Sequence, residues 1–139
     1  MHDLNSIKRL LPHREPFLFL DRLEEVDSPR KGRGFFNLKL SDLTDRPLFN
    51  PYLLLIEFAA QTSAYVSAYS SSLQDPSLDK QGYLVTIKDF TVKNTVEFDK
   101  EIMEFHADVT LLKNYKTLYR YFFSVGKYIE GELEFIGNK

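Results

Sequence analysis

The segment that begins at Asn50-Pro51 constrains this chain more than any other. From Pro51 to about Ser72 the residues predict one long helix with no broad polar face, through Leu53, Leu54, Leu55, Ile56, Phe58, Ala59, Ala60, Ala64, Tyr65, Val66, Ala68 and Tyr69. Its start is chemically marked. Asn50 is a good N-cap, because its side-chain oxygen accepts from a free amide, and Pro51 loses nothing at the first helical position. A helix that is apolar almost all round has to be buried on most sides. Such a helix cannot cover itself, so the rest of the chain must supply a surface that wraps it.

The flanking sequence supplies strands. Tyr83–Val96, Glu101–Leu112, Thr117–Val125 and Tyr128–Ile136 are β-rich, with Asn114 and Gly126-Lys127 where hairpin turns are needed. Upstream, Asp3–Leu11 predicts a short helix with Asp3 as cap and Pro12 as stop. Phe17–Val26 predicts a strand, Ser28–Gly32 a turn, and Arg33–Leu40 its hairpin partner. Segments 41–49 and 70–82 are polar and read as loops. The expected fold is α+β: a curved antiparallel sheet of about five or six strands around one central helix, in a single domain spanning residues 1–139.

Composition narrows function by exclusion. The 139 residues hold 18 Lys and Arg against 20 Asp and Glu, a net charge of -2, which argues against a nucleic-acid binder. Cys is absent, so disulfides, thiolate zinc sites and a Cys nucleophile are excluded. The N-terminal residues show no basic stretch followed by an apolar run. The most apolar stretch, 48–60, is too short to span a bilayer and contains Asn50, Pro51 and Glu57. A cytoplasmic location without a membrane span is expected, and nothing implies a cofactor or metal.

Two residues of the long helix stand out chemically. Glu57 and Gln61 are its only long polar side chains before the Ser-rich end, and a spacing of four puts them on one face. Ala64 and Ala68 continue that face and leave space beside it. A carboxylate sheltered among apolar groups is suited to proton transfer near neutral pH. The competing reading is an inert Glu at a dimer or loop contact; the apolar helix favours function.

The sequence also resembles a known family. Leu11-Pro12-His13-Arg14-Glu15-Pro16-Phe17-Leu18-Phe19-Leu20-Asp21-Arg22-Leu23 is similar to the opening motif of the FabZ-type 3-hydroxyacyl-[acyl carrier protein] dehydratases. Ile56-Glu57-Phe58-Ala59-Ala60-Gln61 resembles their helix motif, and Gly126–Leu133 their last hairpin. The resemblance runs in order along essentially the whole chain. It implies a hot-dog fold, a homodimer or a heterodimer with a FabZ-like relative, and a substrate carried as an acyl carrier protein or CoA thioester. It further implies Glu57 as catalytic acid/base and Gln61 as a supporting hydrogen-bond partner. It assigns the Tyr52 backbone N–H to the thioester carbonyl, and Asn50, Pro51 and Leu53 to substrate contact.

The chain also departs from the family. The segment that holds the family's catalytic His falls on Asp42–Arg46, and no His lies between His13 and His106. Asp42 or Asp45 is a weak candidate for a substitute base. The family's carbonyl-polarising Gly falls on Tyr52, and Phe98-Asp99-Lys100 stands where a Pro-Gly-Asp turn is expected. His13 is expected to fix the Pro12–Pro16 turn by hydrogen bonding rather than to act in catalysis. His106 is expected to be structural, and terminal His2 is uninformative. The basic turn Arg30–Arg33, with Lys8, Arg9 and Arg14, is either a carrier-protein dock or, preferably, a solvated hairpin tip. Three functions follow: a dehydratase, a catalytically impaired acyl-thioester-binding subunit paired with an active dehydratase, or a hot-dog thioesterase.

Overall fold

The structure, a computed structural model, describes residues 2–15, 17–41, 50–74 and 82–137. Helix α1 is Leu4–Leu10. The Asp3 side chain caps it by accepting from the Ser6 N–H at 3.0 Å, and Pro12 follows its end. Strands β1 (Arg22–Asp27) and β2 (Lys31–Lys39) form the first hairpin. The long helix α2 runs Pro51–Gln74. It is followed by β3 (Gly82–Val92), β4 (Ile102–Tyr115), β5 (Leu118–Val125) and β6 (Ile129–Gly137). The strands form one six-stranded antiparallel sheet in the order β1-β2-β4-β5-β6-β3. One helix packed on one antiparallel sheet is the expected hot-dog arrangement. Among the described residues, no helix is long and apolar enough to cross a membrane.

The core lies between α2 and the inner face of the sheet. Leu55, Phe58, Ala59, Tyr65 and Val66 of α2 meet Phe36, Ala107, Val109, Phe123, Val125 and Leu133. Strand β2 alternates strictly, with Gly32, Gly34, Phe36 and Leu38 inward. Its two glycines let the helix come close. A Cβ at Gly34 would lie 2.4 Å from Thr62 Oγ1, and one at Gly32 would lie 2.5 Å from Val66 Cγ2.

Several expected boundaries move. The long helix runs on to Gln74, into the expected loop, β2 starts at Lys31 instead of Arg33, and β3 ends at Val92 instead of Val96. Two further shifts have a clear local reason. The first strand starts at Arg22, not Phe17. Leu18, Phe19 and Leu20 are apolar because they are buried against the core, and the Phe19 N–H bonds to a helix side chain, not to a neighbouring strand. Asp21 begins the pairing: its N–H donates to Phe35 O at 2.8 Å, and its carboxylate accepts from the Asn37 N–H at 2.6 Å. The β4–β5 turn is at Lys116-Thr117, not Asn114. Asn114 is still paired with Tyr119, and Lys116 takes the left-handed conformation, φ 57°, that a two-residue hairpin turn requires.

Candidate functional site

Asn50 caps α2 as its chemistry predicts. Its side-chain oxygen accepts from the Tyr52 N–H at 2.8 Å, and its carbonyl accepts from the Leu54 N–H at 3.1 Å. The Tyr52 N–H is therefore engaged by the cap, and a thioester carbonyl would have to displace the Asn50 side chain to use it. The Tyr52 phenol is turned toward the 93–99 segment, where its oxygen accepts from the Val96 N–H at 3.3 Å. Leu53 is exposed at 60%.

Glu57 is on the second turn and Gln61 one turn later. Gln61 is fully buried and nearly saturated. Its oxygen accepts from the Phe19 N–H at 2.8 Å, while its amide donates to Phe17 O at 2.9 Å and to Glu57 Oε1 at 3.2 Å. This side chain pins the Phe17–Phe19 segment onto the helix through backbone groups that precede the first strand. The expectation that Glu57 is sheltered from water is corrected: its side chain is 39% exposed. The sheet packs on another flank of α2, and among the described residues the connection from α1 to β1 is what approaches Glu57.

That connection is held rigidly. The Arg14 guanidinium donates to Lys8 O at 2.9 Å, Leu11 O at 2.8 Å and His13 O at 2.7 Å. It satisfies carbonyls left over at the end of α1. A Lys8–Glu15 ion pair at 2.9 Å closes the same turn and holds the Glu15 carboxyl below its ordinary range through the Lys8 hydrogen bond. Arg14, not His13, fixes the turn, so the expected role of His13 is corrected as well. The His13 imidazole is turned inward, with Nε2 3.7 Å from Glu57 Oε1. Its Nδ1 is buried with no hydrogen-bond partner. Sequence reasoning missed this neighbourhood. The signal was available in the Pro12 stop, which folds His13 back over the helix face that carries Glu57.

The other candidates lie elsewhere. Asp42 and Asp45 fall outside the described residues. His106 is half-exposed on β4 and 3.9 Å from Asp108 Oδ2. His2 is better integrated than its terminal position suggests: it bridges to Leu23, and its Nδ1 is 2.7 Å from the Tyr65 hydroxyl. Two of the hairpin's arginines are already paired, Arg30 to Asp27 within the hairpin and Arg33 to Asp108 of the neighbouring strand β4 at 2.7 Å. That arrangement fits a solvated tip better than a cationic dock.

No protein-family model matches the chain. Among curated proteins it is similar to 3-hydroxyacyl-[acyl-carrier-protein] dehydratase FabZ of Campylobacter lari, with 28% identity over 140 residues, 96% of this chain and 91% of that protein. The FabZ of Natranaerobius thermophilus is 41% identical over 70 residues, and there the chain spans about half of the relative, 49% of its length.

The chain is similar in sequence to FabZ dehydratases over most of its length.

Solved structures agree on the fold. The dehydratase heterocomplex ApeI:P from Xenorhabdus doucetiae superposes with a TM-score of 0.67 at 16% identity, covering 96% of this chain and 91% of that one. Zebra fish thioesterase superfamily member 2 gives 0.61 at 14% identity, covering 99% of both chains. Dehydratase and thioesterase thus share the fold, so the fold alone does not choose between them.

Proposed function

We propose that this FabZ-like chain acts on 3-hydroxyacyl thioesters carried by acyl carrier protein or CoA, as a dehydratase of fatty-acid or related acyl-chain biosynthesis, with Glu57 as its acid/base. The observation behind the reading is the Glu57–Gln61 pair. A half-exposed carboxylate is held by a buried amide on the turn of α2 that matches the helix motif of the FabZ dehydratases. Dehydration needs a proton taken from C2 and a hydroxyl released from C3 as water, and one well-held carboxylate can reach both. Asn50, Pro51 and Leu53 at the open start of the helix are the proposed substrate contacts, and Tyr52 the proposed carbonyl donor once Asn50 yields its N–H.

A cytoplasmic dimer is part of this reading. Strand β3 ends the sheet, and its Ile87, Phe90 and Val92 are exposed, as an edge that pairs with a second subunit would be. The second subunit is a copy of this chain or a FabZ-like relative.

Incubating the purified protein with a 3-hydroxyacyl-CoA or 3-hydroxyacyl-carrier substrate should produce the 2-enoyl chromophore, and Glu57→Gln should abolish it. Thiol release without enoyl product would make the chain a thioesterase instead.

A second reading has its own support. No His lies between His13 and His106, and the amide at Tyr52 is occupied. Both features suit a subunit that binds acyl thioesters beside an active dehydratase. Turnover by the chain alone would count against that role. Turnover only after co-expression with a FabZ relative would favour it.

A further inference from the structure

We infer that His13 and Gln61 act as a convergent pair of donors on one oxygen of Glu57, leaving the other oxygen, Oε2, as the working atom of the site. The inference rests on the dehydratase reading for its chemistry but not for its geometry.

Both contacts to Glu57 fall on Oε1: the Gln61 amide at 3.2 Å and the His13 Nε2 at 3.7 Å. Among the described residues, Oε2 has no hydrogen bond or ion pair. The direction of the imidazole contact follows from its other nitrogen. Nδ1 is buried with nothing to bond. A proton placed there would be an unsatisfied buried donor, which costs about 1–3 kcal/mol. The neutral ring therefore keeps its proton on Nε2, the edge that faces Glu57. A ring in that tautomer donates to the carboxylate and has no lone pair on that edge with which to act as a base. His13 is thus a positioning residue, not a replacement for the family's loop imidazole. The 3.7 Å gap is longer than a formed hydrogen bond. Such contacts commonly tighten when substrate binds.

With one carboxylate oxygen at work, Oε2 performs both proton transfers. It takes the C2 proton, and the electrons of that C–H bond, delocalised into the thioester carbonyl, form the C2=C3 double bond. The C3–O bond breaks with its electron pair, and the departing hydroxyl takes the same proton from Oε2 and leaves as water. Glu57 returns to its carboxylate form, so the cycle closes without a second base. Both events occur on the substrate face turned to Glu57, which makes the elimination syn.

Two measurements test this on the full chain. The first is the 15N NMR tautomer pattern of His13. We expect Nε2–H, with a shift that changes in Glu57→Gln; an Nδ1–H tautomer, or indifference to Glu57→Gln, overturns the inference. The second is a pair of variants whose folding is checked by circular dichroism. His13→Gln keeps a donor at the Nε2 position, and His13→Ala removes it. We expect kcat to fall about tenfold in His13→Ala, with KM little changed, and to stay within about threefold of wild type in His13→Gln. Equal loss in both variants would make the imidazole itself the acid/base, and no loss in His13→Ala would make it a bystander; either result overturns the inference. A wild-type chain with no turnover, but with an Nε2–H tautomer that responds to Glu57, would sink the dehydratase reading and support the donor pair.

Discussion

The two halves of α2, taken as residues 51–61 and 62–74, treat their buried amide and their buried Ser and Thr hydroxyls in opposite ways. In the second half, Thr62, Ser63 and Ser67 donate back to their own helix, to Phe58 O at 2.9 Å, Ala59 O at 3.0 Å and Ala64 O at 2.9 Å. These hydroxyls ask nothing of the rest of the molecule, so the helix behaves there as a smooth rod against the glycines of β2. In the first half, Gln61 reaches across to Phe17 and Phe19 and also to Glu57, and Glu57 keeps unused acceptor capacity toward His13 and solvent. The comparison separates scaffold from site. A polar group satisfied by its own helix serves packing, whereas one that ties separate segments together while leaving a neighbour open is placed for chemistry.

If this division is right, the largest effect belongs to the first half. Glu57→Gln should lower turnover of a 3-hydroxyacyl thioester by about 10²–10⁴-fold, as loss of a positioned acid/base does, with the circular dichroism spectrum unchanged. Undiminished turnover would remove the site from this half of the helix. The next largest effect belongs to the second half and concerns stability alone. Gly34→Val would drive a side chain into Thr62 Oγ1, 2.4 Å from the new Cβ, and into Leu20 Cδ1 at 2.9 Å. Overpacking of that kind should cost roughly 3 kcal/mol, seen as a lower urea midpoint.

A matched pair of substitutions one residue apart sharpens the contrast. Gln61→Ala removes the amide that bonds the Phe19 N–H and Phe17 O and should cost about 1–3 kcal/mol. It should also lower activity, because Glu57 loses its amide donor. Thr62→Val removes only a hydroxyl bonded to a carbonyl of its own helix. It should shift stability by less than about 1 kcal/mol and leave kcat unchanged. Equal penalties at the two positions would erase the distinction between the halves.

Much of this was legible in the sequence where the chemistry is local. The Asn50 cap, the Pro51 start, the Asp3 cap and the Gly126 turn follow from what those residues do to their own backbone, and all are found. The apolar all-round helix likewise required a wrapping sheet. Legibility failed where the deciding partner is distant in sequence. Phe17–Leu20 has strand composition, yet Gln61, some 40 positions away, bonds the Phe19 N–H and the Phe17 carbonyl. His13 looked like a turn residue because its neighbour Arg14 takes that role only once the end of α1 has folded beside it. The exposure of Glu57 could not be read from helix composition, which shows how apolar the neighbours are but not which flank the sheet covers.

The smallest expected effect lies at the far end of the rod and is a matter of pH. His2 packs edge-on against Tyr69, with ring centroids 4.5 Å apart, and hydrogen-bonds the Tyr65 hydroxyl at 2.7 Å. Burial lowers its pKa from the ordinary 6.5, and the same burial pushes the Tyr65 phenol well above its usual value. A His whose pKa is lower folded than unfolded binds more protons in the unfolded chain throughout the interval between the two values. Stability therefore rises with pH across that interval. The His2 contribution is fully present above about pH 6.5, declines as pH falls toward the lower folded value, and is constant below it. Urea midpoints measured from about pH 8 to about pH 5 should show this slope, and His2→Phe should flatten it without changing kcat, because the ring serves the scaffold half. A His2→Phe chain that keeps the whole slope would move the titrating group elsewhere. One that loses turnover would mean that the two halves of the helix are coupled, and that the separation of scaffold from site does not hold along its length.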